Sequence, residues 1–157
     1  MYRIMLADDE GIVLDALQFI IEKNFGDCCE IQQAKTGRCV IELAEEFLPD
    51  IAFVDIKMPW INGIEAIKEI RKRNKNTIFI IVSAYDKFDY AKEAINLGVL
   101  DYINKPIRQE VIIDVLQKAI DTLDKERNKR SNDLMIREKL ENVVPIIESG
   151  FIYSILF

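Results

Sequence analysis

The chain of 157 residues contains no histidine, which removes the usual general base and the usual phosphohistidine from consideration. Cysteine is scarce. Cys28, Cys29 and Cys39 are odd in number and lack the spacing of metal ligands, so a disulfide framework and a zinc site are both excluded and the thiols are expected to be reduced and mostly buried. No uninterrupted apolar run reaches the ~18 residues of a membrane span. The start, MYRIMLADDE, is too short and too acidic for a signal peptide, so a cytoplasmic protein with no membrane partner is expected. Positive charge is in deficit as well: 21 Lys and Arg against 27 Asp and Glu leave −6, which does not favour nucleic acid as a partner of this segment. Apolar residues, in contrast, make up half of the chain, enough for one good core, and a single domain with an appendage is expected.

The apolar residues fall into a repeated alternation. MYRIMLA reads as a strand, and after DDE comes GIVLDALQFIIEKN, where Val13, Leu14, Leu17, Ile20 and Ile21 recur at helical spacing. EIQQA and RCVIELAEEFL make a second pair, IAFVD and GIEAIKEIRKR a third, TIFIIVSA and FDYAKEAINL a fourth, and VLDYIN with VIIDVLQKAIDTL a fifth. Five such units in about 120 residues predict an α/β domain with a doubly wound parallel sheet, because parallel neighbours need helical crossovers and the helices cover both faces. The dense apolar runs IAFV and IFIIV are expected at the centre of the sheet and the more polar EIQQA nearer an edge.

Ligands of such folds sit beyond the carboxyl ends of the strands. At those ends stand Asp8, Asp9 and Glu10 after the first strand, Asp55 after the third, Ser83 at the fourth and Lys105 at the fifth. Each has an ordinary reading alone: Asp8, Asp9 or Ser83 as a helix cap, Asp55 as a turn former before Pro59, Lys105 as a solvated side chain. Together they converge on one crevice. Two carboxylates about 4 Å apart repel by ~4 kcal/mol at an effective dielectric of 20, so the cluster calls for a cation. Hard oxygen ligands suit Mg²⁺, which shares its shell readily with a phosphate. A carboxylate can attack a phosphoryl group when a metal and a lysine offset the charge on its oxygens, and Asp55, the most central acid, is the natural nucleophile.

The motifs LADDE, DIKMPWINGIE around Asp55, the strand-end hydroxyl in VSA, and Lys105-Pro106 preceded by Tyr102 resemble a receiver domain of a two-component response regulator over about residues 2–121. The resemblance implies a flavodoxin-like five-stranded sheet in the order 2-1-3-4-5. It implies that Asp55 is the phosphoacceptor, with Mg²⁺ held by Asp9 directly, Asp8 in support, Asp55 itself and the backbone carbonyl of Lys57. Lys105 would pair with the phosphoryl group, Ser83 would hydrogen-bond it, and Tyr102 would be the aromatic that changes exposure. The Lys105-Pro106 step resembles one that is often cis. The implied donor is a sensor histidine kinase. Trp60 and Lys57 depart from the usual residues beside the phosphorylation loop.

Two other classes share parts of this pattern. A phosphatase of the haloacid dehalogenase type resembles a D-x-D arrangement, but Lys57 stands where its second acid belongs. A flavodoxin-like FMN module needs a hydroxyl-rich phosphate loop after its first strand, where Asp8, Asp9 and Glu10 would repel a phosphate.

Beyond residue 121 the composition changes. Residues 122–140 carry six Lys or Arg against four Asp or Glu, which leaves −8 for the remainder. A receiver domain over 1–121 and a helical linker, or the start of an output region, over 122–157 are expected. Leu116, Ile120 and Leu123, then Ile136, Leu140, Val143 and Ile147, have the 3-4 spacing of a dimer seam, interrupted by more than a heptad of charge, so a homodimer is one reading of the extension. The apolar tail VVPIIESGFIYSILF is broken by Pro145 and Gly150, and it suggests a longer regulator. The stretch YDKFDYAKEAINLGVLDYINKPI resembles regulators with an AraC-type DNA-binding output, and DNA would then be contacted only through a domain absent from this chain.

Overall fold

The computed structural model describes residues 1–84 and 88–147. Its elements alternate as expected: β1 (Tyr2–Ala7), α1 (Gly11–Phe25), a 3₁₀ turn (Gly26–Cys28), β2 (Cys29–Ala34), α2 (Gly37–Phe47), β3 (Ile51–Val54), α3 (Gly63–Arg73), β4 (Ile78–Ser83), α4 (Phe88–Asn96), β5 (Asp101–Asn104) and α5 (Gln109–Ile147). The strands form one parallel sheet in the order β2-β1-β3-β4-β5. All four residues of β3 are buried, whereas β2 alternates and lies at an edge.

Burial on both faces explains the apolar runs. Met5, Ala7, Ala52, Val54, Phe79 and Ile81 meet Val40 of α2, Ile64, Ile67 and Ile70 of α3, and Ala94 of α4. The intervening residues Ile4, Leu6, Ile51, Phe53, Ile80 and Val82 are buried on the opposite face of the pleat, as are Leu14, Leu17 and Ile21 of α1. At the far end of the sheet from the acidic cluster, Arg71 of α3 donates to the carbonyls of Lys75 and Thr77 at 2.9 and 2.8 Å and to Gly98 at 3.4 Å. Its guanidinium lies 4.9 Å from the centroid of the Phe79 ring.

Backbone bonds carry the strand ladders one residue past their ends, so the acids are pinned. The Asp8 N–H donates to the Ala34 carbonyl at 3.1 Å, Asp55 to Ala7 at 2.8 Å and Lys105 to Ser83 at 3.0 Å. Local capping sets the loops that follow. Thr36 accepts from the Cys39 N–H at 3.1 Å to start α2, and Asn62 accepts from the Glu65 N–H at 2.9 Å to start α3. No side chain caps α1, whose N-cap residue is Glu10, so the acids after β1 are not used as its helix cap.

The cysteines differ from expectation: Cys28 and Cys29 are half-buried and Cys39 is exposed, because the edge strand and the outer side of α2 do not face the core. Burial and the neighbouring Cys28 push the Cys29 thiol up to about 12.

The chain divides into a compact unit, Met1–Ala119, and a second unit from Ile120 on. Leu116 is fully buried in the first unit and is not available to a dimer seam. The polar stretch after it is helical, and every residue from Lys125 to Arg137 is exposed, including Leu134, Met135 and Ile136. The seam side chains Leu140, Val143 and Ile147 and the tail from residue 148 lie outside the described residues, as do Tyr85, Asp86 and Lys87. No helix among the described residues is long and apolar enough to cross a membrane.

Gly63 lets α3 start against β3: a Cβ there would overlap the backbone carbonyl of Asp55, which cannot move without disturbing the strand end. Gly63→Ala should therefore cost about 2 kcal/mol or more of stability. Gly11→Ala should change it by less than about 0.5 kcal/mol, since its new methyl would meet only the flexible end of Lys35. Urea unfolding of both variants checks this, and equal costs would refute the steric account.

Candidate functional site

The carboxyl ends of β1, β3 and β5 bring Asp8, Asp55 and Lys105 into contact, although they are distant in sequence. The register pairs Ala7 with Val54, so Asp8 and Asp55 follow side by side. The Lys105 ammonium lies 2.9 Å from Asp8 Oδ2, 3.2 Å from Asp55 Oδ2 and 3.7 Å from Glu10 Oε1. Asp8 is 1% exposed and Asp55 3%, while the Lys105 side chain is 13% exposed and plugs the floor of the crevice.

Asp8 has both oxygens engaged, Oδ2 by Lys105 and Oδ1 by the Glu10 N–H at 2.9 Å. Its pKa nevertheless rises to about 6: burial dominates and the Asp55 charge adds to it, outweighing the hydrogen bonds from Lys105 and Glu10. Burial alone would lower the Lys105 pKa, but Asp8 and Asp55 reverse that, and the ammonium is held above its ordinary value.

One carboxylate oxygen has no such partner. Asp55 Oδ1 is buried without a hydrogen bond among the described residues. Asp8, Asp9 and Asp55 each offer an oxygen, and these three atoms lie within 4.8 Å of one another. A buried orphaned oxygen beside an exposed carboxylate, with only oxygen donors near, fits a hard divalent cation such as Mg²⁺. Asp9 is exposed and reaches this cluster from the solvent side.

The remaining expected residues are near but differently disposed. Ser83 is wholly buried as the last residue of β4, and its carbonyl takes the Lys105 N–H. Tyr102 pairs in register with Ile81, two residues before Ser83, and its half-buried ring packs against the core on the α3–α4 side. Lys57 is exposed on the loop after Asp55. The Lys105-Pro106 peptide is cis. Trp60 is 98% exposed with φ at 69°, and the Ile61 N–H closes a tight turn on the Pro59 carbonyl at 2.8 Å. One residue escaped the sequence reading: Lys35, at the carboxyl end of β2, whose ammonium lies against the start of α1. Its signal was available, since it is the strand-end residue of the one strand from which no site residue was expected.

A doubly wound parallel sheet with acids at the ends of β1 and β3 and a lysine at the end of β5 defines a class of α/β domains with an acidic crevice at the strand ends. Within that class, residues 4–117 match the response regulator receiver domain family, and the chain belongs to that family. YesN of Bacillus subtilis, an uncharacterised transcriptional regulatory protein, is 34% identical over 143 residues, covering 91% of this chain and 39% of its own length. The transcriptional regulatory protein HptR of Staphylococcus aureus is 31% identical over 134 residues, 85% of this chain and 52% of its own. The chain thus spans about half or less of the length of these relatives. Among solved structures, the receiver domain of AraT, a response regulator from Geobacillus stearothermophilus, superposes with a TM-score of 0.74 at 33% identity, covering 80% of this chain and 98% of that one. A CheY-like receiver domain protein from Methanospirillum hungatei gives 0.75 at 25% identity, covering 80% and 98%.

The crowded acids predict a pH signature for the metal-free protein. Asp8 holds its proton more tightly in the folded chain than in the unfolded one, so folded protein binds more protons between about pH 4 and 6. Stability should fall as pH rises through that window. At pH 7.5 in a chelator, Asp8→Asn should be more stable than wild type by up to about 3 kcal/mol, and the gain should vanish below about pH 4. Denaturant midpoints across pH report it; a destabilised variant at pH 7.5 would show that the ion pair outweighs burial.

Proposed function

We propose that this chain is the phosphoryl-accepting switch of a two-component system, with Asp55 as the acceptor and a sensor histidine kinase as the donor. The observation that carries the reading is the unpartnered, buried Asp55 Oδ1 between the metal-fitting acids and Lys105. Asp9, Asp55 and the Lys57 backbone carbonyl would hold Mg²⁺. Asp8, with both oxygens already engaged, would support the site from behind. When bound, the metal neutralises part of the charge on the transferring oxygens. An Asp55 oxygen attacks phosphorus, the bond to the donor breaks with its electron pair leaving on the donor, and Lys105 pairs with the phosphoryl group in place of its bond to Asp55 Oδ2.

Intact-mass analysis after treatment with an acyl phosphate and Mg²⁺ should show one added phosphoryl in the wild type and none in Asp55→Asn. In the same assay Asp9→Ala should lose more Mg²⁺ affinity and more labelling than Asp8→Ala. Equal labelling of Asp55→Asn would overturn the assignment.

The domain division that fits this role is a receiver over 1–121 and a linker over 122–157 leading to an output region, with DNA contacted only through that region. The chain's site of action would be the cytoplasm. The phosphoryl group adds roughly two negative charges, which would draw the Ser83 hydroxyl toward Asp55 and open space on the face of β5 that Tyr102 fills. That rotation would reshape the surface bearing Tyr90 and Leu97 and bias the pairing of two chains. Only an interaction that differs between the two states shifts such a balance. Sedimentation with and without beryllofluoride, a phosphoryl mimic, should reveal increased association in the wild type that is lost in Ser83→Ala and Tyr102→Ala. Identical association in all samples would exclude the mechanism.

A further inference from the structure

The crevice remains net negative even with one divalent cation bound, because Asp8, Asp9, Glu10 and Asp55 face a single buried ammonium. The phosphodonor proposed above is an anion. An arriving phosphodonor is therefore repelled by the residues that are to receive it, and Lys105, already occupied at the floor, does not relieve this at the mouth.

Lys35 is placed to do so. Asp8 follows the β1–β2 ladder with its N–H on the Ala34 carbonyl at 3.1 Å, and Ala7 pairs with Ala34, so Lys35 stands beside Asp8 at the ends of the two strands. Its side chain lies across the start of α1: its Nζ and Cε would lie 3.4 and 3.8 Å from a Cβ built on Gly11. A cation is disfavoured at the amino end of a helix. No carboxylate among the described residues lies within ion-pair distance to hold it there. The side chain is exposed, and Gly11 presents no side chain of its own beside the ammonium.

We propose that Lys35 is a positioning residue for phosphoryl uptake: an exposed cation that draws an anionic phosphodonor past the acidic rim toward Asp55. The proposal rests on Asp55 being the acceptor. With acetyl phosphate as donor, an Asp55 oxygen bonds to phosphorus, the bond from phosphorus to the acetyl oxygen breaks, and acetate leaves with the electron pair. Lys35 transfers no proton and forms no covalent bond. Its effect is on the approach of the anion.

A mouth cation has a signature that a structural lysine lacks, because it acts with opposite sign on an anion and on a cation. At low salt and saturating Mg²⁺, Lys35→Gln should take up phosphoryl from acetyl phosphate with a second-order rate constant about two- to five-fold below wild type. The same substitution should bind Mg²⁺ about two-fold more tightly in a metal titration, since it removes a competing charge. Both differences should close near 1 M salt, where the screening length is about 3 Å. Lys35→Arg should behave as wild type. A Lys35→Gln rate equal to wild type at low salt would overturn the proposal, and so would a variant that loses uptake and Mg²⁺ affinity together at every salt concentration. Failure of the wild type to label at all would instead remove Asp55 as acceptor, and the role of Lys35 with it.

Discussion

The crevice exists because one ammonium is shared between two buried carboxylates. Without Lys105, Asp8 and Asp55 would face each other across the ends of β1 and β3 without the ammonium that now lies against both charges. Breaking a buried pair leaves an uncompensated charge, which is far more costly than never having built the pair. The rest of the domain meets this constraint geometrically. The sheet order puts β3 between β1 and β4, the last β4 residue holds the Lys105 N–H, and Gly63 clears the space in which the Asp55 carbonyl meets α3.

This arrangement is poised rather than relaxed. Lys105 is matched to the carboxylates it has, yet Asp55 Oδ1 is left over and Asp8 is held above the usual carboxylate range. A core optimised only for stability would satisfy the first and avoid the second. Such deficits concentrate where a ligand is expected to supply the missing partner, and here they fall on Asp8 and Asp55, two of the three acids that can share a cation.

Much of this was legible in the sequence, and for identifiable reasons. The runs IAFV and IFIIV are almost wholly buried, so their apolar density marks central strands, and the first polar residue after each, Asp55 and Ser83, marks a strand end. Asp8, Asp55 and Lys105 could be collected by that rule because each follows a strand that is easy to see. Lys35 follows β2 by the same rule but is easily passed over, since β2 is a polar edge strand, and its placement beside Gly11 depends on packing. The thiols were misjudged for a related reason: burial is a property of which side of an element faces the core, and Cys39 lies on the outer side of α2. The contrast in burial between the neighbours Asp8 and Asp9, one buried and one exposed, arises through the turn into α1 and has no signal in the residues themselves.

The ion pair between Lys105 and Asp55 spans 50 positions, and that between Lys105 and Asp8 spans nearly the whole first unit. Neither local helix formation nor the pairing of β1 with β3 produces the crevice; the last strand must arrive. A nascent or truncated chain ending before β5 would bring the acids together with nothing to hold them, and it would present no lysine to a phosphoryl group. The chemistry of the site is thereby also an inspection of the fold. On the proposed function, only a chain that has completed its sheet could be addressed by a donor, and an unfinished copy would be silent in signalling.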